Sequence, residues 1–417
     1  MSEPSRRRPI VAMVVYEWST RLMGGSIRAF SFARHLPEHG WDVLVITATP
    51  PQEWPPPWPG VRVVHIRSRE REFGGGISVE SDSRLDANPR WLRALGAVKG
   101  LLPLERQLVW YGPFLAGAAP VCREAGVAAV LTVVAPNVLM PLGHRLASRL
   151  KVPHFIDLRD DFADRHRVES ISRSYQRLLN AYGHRYLRRA RGVSVVSPVT
   201  AGRLRDRGIA ARLVMNGYVE DHFADVPWEA RPVPAEGPLR VVHLGWLGDF
   251  RSIESVTEAI AQMTDEEASQ IEIEQVGLVD PRQAELLAEC RATTRVAPQV
   301  PHREAVRIMQ RADVLLAIPG DSVPAALTGK LFEYLRVRRP VLLIAGDGAA
   351  RELARQAGLQ WVARPAEAPA LAEMLRTLLG RKRAGNLAAD SDPAYVRALD
   401  RRKGAEEIAE MLSEAFQ

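Results

Sequence analysis

The sequence predicts an α/β protein built from two doubly wound domains, each with a parallel sheet and helices on both faces. Short apolar runs typical of buried parallel strands alternate with segments of helical periodicity. The length of 417 residues exceeds what one ordinary core accommodates. A proline-rich segment near mid-chain separates one such series from the next. Because open parallel sheets bind ligands at the carboxyl ends of their strands, we expect the domains to face each other across a ligand-binding cleft.

The first series opens with a complete β-α-β unit. Residues 10–16 (IVAMVVY) predict a strand buried on both faces, and residues 41–47 (WDVLVIT) predict a second one. Between them, residues 27–39 carry apolar side chains at helical spacing and end before Gly40, a natural C-cap. A unit of this kind implies a parallel sheet with a right-handed crossover.

The pattern continues with a helix around residues 140–150 and with four more predicted strands. These strands lie at residues 128–134, 154–158, 193–196 and 212–215. Residues 50–59, rich in proline and tryptophan, predict a loop.

The sequence predicts four segments: an N-terminal domain over residues 1–225, a linker over 226–238, a second domain over 239–395 and a final helix over 396–417. The linker holds four prolines and has no periodicity. The last segment has no strand after it, so we expect its helix to pack back across the linker. The second domain is predicted to have strands at 240–244, 271–276, 296, 314–318 and 341–344, and helices at 252–263, 285–291, 303–311, 331–337 and 349–358.

Composition excludes several classes of protein. Hydrophobic residues make up 46% and charged residues 25%, as in globular proteins rather than disordered ones. Glu17 and Arg21 cut short the N-terminal apolar run, which argues against a signal peptide. No run of about 18 apolar residues exists to span a membrane. Cys122 and Cys290 lie too far apart to suggest a disulfide framework or a zinc site. We expect a cytoplasmic enzyme or binding protein.

The formal net charge of +7 fits partners that carry phosphate. Nucleic acid is not expected, because the arginines are spread along the chain and no nucleic-acid-binding signature is present. Residues 165–191 hold eight arginines interleaved with tyrosines. This segment is either the solvated face of a helix, which we favour, or a contact with an acidic acceptor or with the inner face of an anionic membrane. The sequence does not determine the oligomeric state.

The most informative motif is TGKLFEYL at residues 328–335. Thr328 is a plausible N-cap, so Gly329, Lys330 and Leu331 present backbone N–H groups at a helix start, where a diphosphate binds well. Glu333 lies one turn later, on the side of Lys330, where it could accept hydrogen bonds from a ribose diol. An ordinary exposed Lys–Glu pair is the alternative.

Three further groups follow predicted strands. Arg251, after the glycine-containing loop at 245–250, could add positive charge near a phosphate, or be a solvated arginine. Gly24 and Gly25 precede the first helix and would allow close backbone approach to a phosphate or sugar, or form a plain turn. Three carboxylates surround one arginine at the end of the strand at 154–158, where they could orient sugar hydroxyls, act as a general base or form an ion-pair cluster. These residues are Asp157, Arg159, Asp160 and Asp161.

Taken together, these segments resemble the GT-B glycosyltransferases, specifically the family-4-like group. The resemblance rests on GGSIR at 24–28, NGY at 216–218, VVHLGWLGDFRS at 241–252, PQVPHREAVRIMQRADVLLAI at 298–318 and GKLFEYLRVRRPVLLI at 329–344. It implies two Rossmann-like domains and transfer of a sugar, with retention, from a nucleoside diphosphate sugar to a hydroxyl of a cell-envelope, polysaccharide or small-molecule acceptor. UDP is the expected nucleotide, and no metal or other cofactor is expected.

The resemblance also implies roles for individual residues. Arg251 and Lys330 would neutralise the departing diphosphate, and Glu333 would hold the ribose hydroxyls. The backbone around Pro301 and His302 would meet the base, and Gly25 would approach the phosphate or sugar. We expect Asp160 to act on the acceptor side as a catalytic group. Contacts to the acceptor or sugar are expected from Gly24, Asp157, Arg159 and Asp161.

Three positions depart from the family pattern. Ala325 stands where a glutamate often precedes Glu333 by eight residues, Trp246 replaces an arginine, and Arg159 replaces a histidine. A related branch shows similar changes, so we interpret the chain as a variant enzyme. Two alternatives stay open: a nucleotide-sugar epimerase of the same fold, and a non-catalytic subunit that binds sugar nucleotides.

Overall fold

A computed structural model gives the fold of the chain, which divides into two compact units. The first comprises the chain up to Val196 together with residues 200–214 and 404–417, and the second comprises residues 197–199 and 215–403. The structure describes residues 8–20, 23–68, 106–159, 173–229, 233–248, 250–320, 324–325 and 327–417.

The first unit is built on a seven-stranded parallel sheet with the strand order β3-β2-β1-β4-β5-β6-β7. Its strands are β1 Ile10–Val14, β2 Asp42–Thr47, β3 Val61–His65, β4 Val127–Val134, β5 His154–Leu158, β6 Gly192–Val195 and β7 Arg212–Leu213. Its helices are α1 Met23–His35, α2 Tyr111–Ala125, α3 Leu139–Leu150, α4 Arg173–Leu187 and α5 Pro198–Arg205, the last of which begins in the second unit. Short 3₁₀ turns lie at Leu36–His39, Pro51–Glu53 and Arg106–Trp110.

The second unit holds a six-stranded parallel sheet with the order β10-β9-β8-β11-β12-β13. Its strands are β8 Leu239–Leu244, β9 Ile271–Val276, β10 Thr293–Ala297, β11 Val314–Ala317, β12 Val341–Ile344 and β13 Val362–Ala363. Its helices are α6 Glu254–Ala261, α7 Asp265–Ser269, α8 Pro281–Ala288, α9 His302–Arg311, α10 Gly329–Val337, α11 Ala349–Gln356, α12 Ala368–Arg383 and α13 Pro393–Ala398. A 3₁₀ turn lies at Glu220–Phe223, and α14 Arg401–Ser413, followed by a turn at Glu414–Phe416, ends the chain.

Both sheets are buried on both faces, as their continuous apolar strands predict. Along β1, Val11 and Met13 belong to one core while Ala12 and Val14 belong to another. This alternation follows from the two-residue period of a strand. The same division into two cores holds for β8. The predicted fold class, two doubly wound α/β sheets, is confirmed.

Several elements were not predicted, and their sequences show why. In α2, Pro120 and two glycines break the helical pattern. β3 is half-exposed and has no continuous apolar run. In the predicted linker, Val226 and Val233 are buried in the two cores of the second unit. Residues 404–417 pack on the first unit, where Leu412 joins the core that contains Met13.

Within the described ranges, no helix is both long enough and apolar enough to cross a membrane.

Gly143 lets α3 lie directly against the sheet. A Cβ at this position would overlap Thr132 Oγ1 and lie 2.7 Å from His154 Nε2. Those two side chains form a buried hydrogen bond of 2.9 Å, so they cannot move apart without losing it. We expect Gly143→Ala to lower the free energy of unfolding by about 2 kcal/mol, measured by urea denaturation.

Gly202 provides the matched control, because it also lies in a helix but has no atom within 4 Å of the place that an added methyl group would occupy. Gly202→Ala should raise stability by about 0.5–1 kcal/mol. Equal effects of the two substitutions would contradict the close contact of α3 with the sheet.

Candidate functional site

Three loops meet at one edge of the second sheet. They follow β8, β10 and β11, whose carboxyl ends share that edge because the strands are parallel. The strand order reverses between β8 and β11, which is where doubly wound sheets bind ligands. β11 pairs with β8 only at Val241 and Val242, so the two strands separate beyond that point. The loops lead to Arg251, to His302 at the start of α9 and to Gly329 at the start of α10.

The N-terminus of α10 has no side-chain cap. Thr328 has extended backbone angles, but its side chain makes no capping hydrogen bond. The first N–H groups of the helix, at Gly329 and Lys330, therefore lie at a partly positive helix end. The helix is fixed from behind by Tyr334, whose hydroxyl accepts a 2.9 Å hydrogen bond from the backbone N–H of Leu244.

Lys330, Glu333 and His302 form one hydrogen-bonded cluster at this helix end. Lys330 Nζ lies 2.8 Å from Glu333 Oε2, and His302 Nε2 lies 2.9 Å from Glu333 Oε1. The glutamate side chain is 16% exposed, and the lysine and histidine are about one-third exposed. The lysine keeps an accessible ammonium, while the carboxylate is held from two sides.

The charge on Glu333 is strongly stabilised. Burial by itself would raise the pKa of this carboxyl, but the hydrogen bond from His302, the charges of Lys330 and His302 and the bond from Lys330 outweigh it. Together they lower its pKa to about 2. Since an ionised carboxylate only accepts hydrogen bonds, His302 must donate through Nε2.

Arg251 lies at the same edge, after β8. Reciprocal backbone hydrogen bonds between Gly248 and Arg251 close a tight turn. The Arg251 Nε lies 3.4 Å from the carbonyl of Pro319, just beyond β11. Burial lowers the pKa of this guanidinium from its usual value, but arginine stays charged at neutral pH. Arg251 thus brings a second positive charge to the loops that flank α10.

The β8 loop is held in shape by a buried polar chain. His243 Nδ1 lies 2.6 Å from Gln275 Oε1, and Gln275 Nε2 donates to the carbonyl of Gly245 at 2.8 Å. Gly245 has φ of 142°, which a residue with a side chain rarely adopts. Trp246 donates its indole N–H to Asp280 at 3.0 Å. Its ring is therefore fixed in place.

In the first unit, Asp157 is fully buried and paired. Arg28 donates to both of its oxygens, from Nε at 2.8 Å and from Nη2 at 2.7 Å. Ser194 donates to the same carboxylate at 2.6 Å, and Arg28 also donates to the carbonyl of Val214. The expectation that Asp157 contacts a sugar is therefore corrected: its oxygens are inaccessible and bind Arg28.

Gly24, Gly25 and Arg159, the predicted residues of the first unit that the structure describes besides Asp157, lie at the carboxyl edge of its sheet. α1 begins at Met23 instead of the predicted residue 27, so Gly24 and Gly25 lie in its first turn and not in a loop before it. Arg159 directly follows β5 and is half-buried. Asp160 and Asp161 lie outside the described residues.

The sequence did not indicate two side-chain contacts, that of His302 with Glu333 and that of Arg28 with Asp157. It placed only the backbone of His302 in the site, whereas the His302 side chain binds Glu333. It did not single out Arg28, which holds Asp157 from 129 positions away. The available sequence signal was the position of Arg28 between the apolar residues Ile27 and Ala29, because a charge that a helix buries requires a partner. No group of three or more potential metal-ligating side chains occurs in the part of the chain that the structure describes.

Comparison with known proteins agrees with this architecture. Residues 24–218 match the family described as glycosyl transferase 4-like domain. No curated protein matches the sequence. Sucrose-phosphate synthase from Thermosynechococcus elongatus is similar in structure, with a TM-score of 0.65 at 17% identity, over 98% of this chain and 99% of that one.

Two further solved structures resemble the whole chain. HepE from Anabaena, in complex with UDP, gives a TM-score of 0.62 at 14% identity, over 97% of this chain and 100% of that one. A glycosyltransferase from Rickettsia africae gives 0.62 at 14% identity, over 98% and 99%. This chain has the GT-B fold.

Within this chain of GT-B fold, Ala325 stands where the family resemblance leads us to expect a glutamate. Ala325 is buried, and the neighbouring carbonyl of Pro324 accepts a 2.7 Å hydrogen bond from the N–H of Ala349. Lys330 and Glu333 are therefore the charged side chains that α10 itself contributes at its N-terminus.

The depressed pKa of Glu333 predicts acid sensitivity. An unperturbed glutamate titrates near 4.5, so the folded state gains stability above that pH and loses it as the pH falls towards 2. The Glu333→Gln variant lacks this dependence. We expect the free energy of unfolding of the wild type, relative to the variant, to fall by about 2 kcal/mol between pH 6 and pH 3 in urea titrations. A pH-independent difference would contradict the paired carboxylate.

The Arg28–Asp157 pair predicts a large structural effect. Asp157→Asn leaves a buried guanidinium without its counter-charge, so we expect it to destabilise the protein by about 3–5 kcal/mol in urea denaturation. Glu410→Gln is the control in the same unit, because Glu410 is exposed and pairs with Arg212 at 3.4 Å. It should cost less than about 1 kcal/mol. A small effect at Asp157 would mean that the carboxylate is not the partner of Arg28.

Proposed function

We propose that this chain is a retaining glycosyltransferase that moves a sugar from a UDP-sugar to an acceptor hydroxyl. The single observation that carries the proposal is the uncapped start of α10, with the partly exposed Lys330 beside the held carboxylate of Glu333. The match of residues 24–218 to a glycosyl transferase 4-like domain supports it, as does the UDP bound by the structurally similar HepE.

The proposed donor site uses the second unit. The N–H groups at Gly329 and Lys330, with the side chains of Lys330 and Arg251, would neutralise the diphosphate as the sugar departs. The N–H of Leu331, which the sequence also suggested, already donates to the carbonyl of Thr328 at 3.2 Å. Positive charge at the leaving group stabilises the transition state more than the ground state, because negative charge develops there. This chemistry requires no metal ion, and we propose none.

The remaining proposed contacts to the UDP-sugar recognise its ribose and its base. Glu333 would accept hydrogen bonds from the ribose diol, since each carboxylate oxygen can accept more than the one hydrogen bond it has here. The backbone at Pro301 and His302, where α9 begins, would meet the base. These assignments follow the family resemblance and agree with the exposure of this helix start.

The acceptor is proposed to be a hydroxyl of a cell-envelope, polysaccharide or small-molecule compound. Gly24, Gly25 and Arg159, at the carboxyl edge of the first sheet, are proposed to contact the acceptor or the sugar. The catalytic role of Asp160 and the contact from Asp161 stay predictions. So do a cytoplasmic location and a peripheral contact with an anionic membrane, for which Arg185, Arg188 and other exposed arginines near α4 would be available.

The donor site is tested with UDP, which needs no knowledge of the acceptor. Isothermal titration calorimetry of the wild type should detect UDP binding, and Lys330→Ala should raise the Kd by about 10-fold or more, because a hydrogen bond to a charged group is lost. Arg355→Ala is the matched control: Arg355 forms the same kind of pair with Glu352 on α11, at 2.6 Å, but away from the helix N-terminus. Its Kd should not change.

The results of these measurements distinguish a glycosyltransferase from an epimerase and from a binding subunit. No UDP binding by the folded wild type, or equal effects of the two variants, would refute the proposed donor site. With a UDP-sugar and candidate acceptors, a glycosyltransferase releases UDP only as the acceptor is glycosylated. An epimerase would interconvert the sugar without an acceptor, and a binding subunit would leave the UDP-sugar intact.

A further inference from the structure

The side chain of His302 connects two helices at the candidate site. His302 is the first residue of α9, and its Nε2 lies 2.9 Å from Glu333 Oε1 on α10. The histidine is 31% exposed and the glutamate 16%, so the contact lies at the rim of the site and not in a core. A backbone contact to a nucleobase would not require this side chain.

His302 is itself supported by the turn at 220–223. The ring of His222 lies 4.5 Å from the ring of His302, centroid to centroid, and Phe223 approaches edge-on at 6.4 Å. Burial lowers the pKa of His222, and the charge of His302 acts in the same direction. A neutral ring therefore packs against His302 at neutral pH.

The turn is anchored back to α10. Arg336, which is almost fully buried, donates to both carboxylate oxygens of Glu220, from Nε at 2.7 Å and from Nη2 at 2.6 Å. Arg336 also donates to the carbonyl of Val226. The contacts therefore begin and end on α10. Arg336 binds the turn at 220–223, the turn packs against His302, and His302 binds Glu333.

We propose that His302 is a positioning residue for the nucleotide, which holds the Glu333 carboxylate in the orientation that accepts the ribose diol, and that His222 keeps the His302 ring in place. The inference rests on the proposed function, because it concerns the same donor site. It adds a side-chain role that neither the sequence motif nor the family match assigns.

The physical reason is that each oxygen of the Glu333 carboxylate has its own hydrogen-bond donor. Lys330 holds Oε2 and His302 holds Oε1, so both oxygens are fixed while each retains capacity for one more hydrogen bond. Without the histidine, Glu333 can rotate towards the lysine ammonium. Ribose binding would then require the carboxylate to be reordered, which weakens affinity for any nucleotide with a diol.

The experiment compares two nucleotides on three proteins. Calorimetry measures the Kd of UDP and of 2′,3′-dideoxy-UDP for the wild type, His302→Ala and His302→Gln. We expect His302→Ala to weaken UDP binding by about 10-fold, since a hydrogen bond to a charged group is lost. Binding of dideoxy-UDP, which has no hydroxyls for Glu333, should stay unchanged. His302→Gln can still donate through its amide and should bind UDP almost as the wild type does.

Each other outcome overturns a defined claim. If the folded wild type does not bind UDP, the proposed function and this inference both fail. If His302→Ala binds UDP as the wild type does, only the positioning role is wrong. An equal loss for both nucleotides would show that His302 acts on the fold of the site and not on the ribose contact. Thermal unfolding of each variant, with the exposed His39→Ala as control, establishes that the proteins compared are folded.

Discussion

The hydrogen bond between Tyr334 and the backbone of Leu244 determines the geometry of the candidate site. It forms where β8 has separated from β11, so the N–H of Leu244 has no neighbouring strand to bind on that side. The tyrosine hydroxyl takes the place of a strand carbonyl and ties α10 to the end of β8. A gap at the reversal of strand order is common to doubly wound sheets. Here the hydroxyl of Tyr334 occupies the gap, and the N-terminus of the same helix has no side-chain cap.

At the N-terminus of this helix, charge pairing holds the side chain of Glu333 in place. Glu333 is mostly buried, and burial would favour its neutral form, yet Lys330 and His302 keep it ionised. A carboxylate that is already charged and oriented needs little reorganisation when a ligand arrives. The cost of desolvating it is offset by the two donors. The neighbouring turn is held separately, by the ion pair between the buried Arg336 and Glu220.

Local patterns could be predicted from the sequence, and contacts between distant segments could not. Most strands of both sheets, β3 and β13 excepted, follow from apolar runs, and the start of the helix at 329–337 follows from the Thr-Gly-Lys spacing. The Lys330–Glu333 pair follows too, because residues three apart share a helix face. His302 and Glu333 are 31 positions apart, and nothing in either segment indicates that they meet. Asp157 illustrates the converse: a carboxylate at a strand end suggests a ligand site, but burial and pairing with Arg28 decide its role.

The departures at 246 and 325 have a common physical consequence. Neither tryptophan nor alanine carries a charge; Trp246 is held by Asp280, and Ala325 is buried. The proposed neutralisation of a diphosphate then depends on Arg251, on Lys330 and on the helix N-terminus that they flank. Lys330 is restrained by the same carboxylate that would bind the ribose. Under the proposed function, a ligand that engages Glu333 would change the balance of charge at the lysine, and this would couple recognition of the nucleoside to stabilisation of the leaving group.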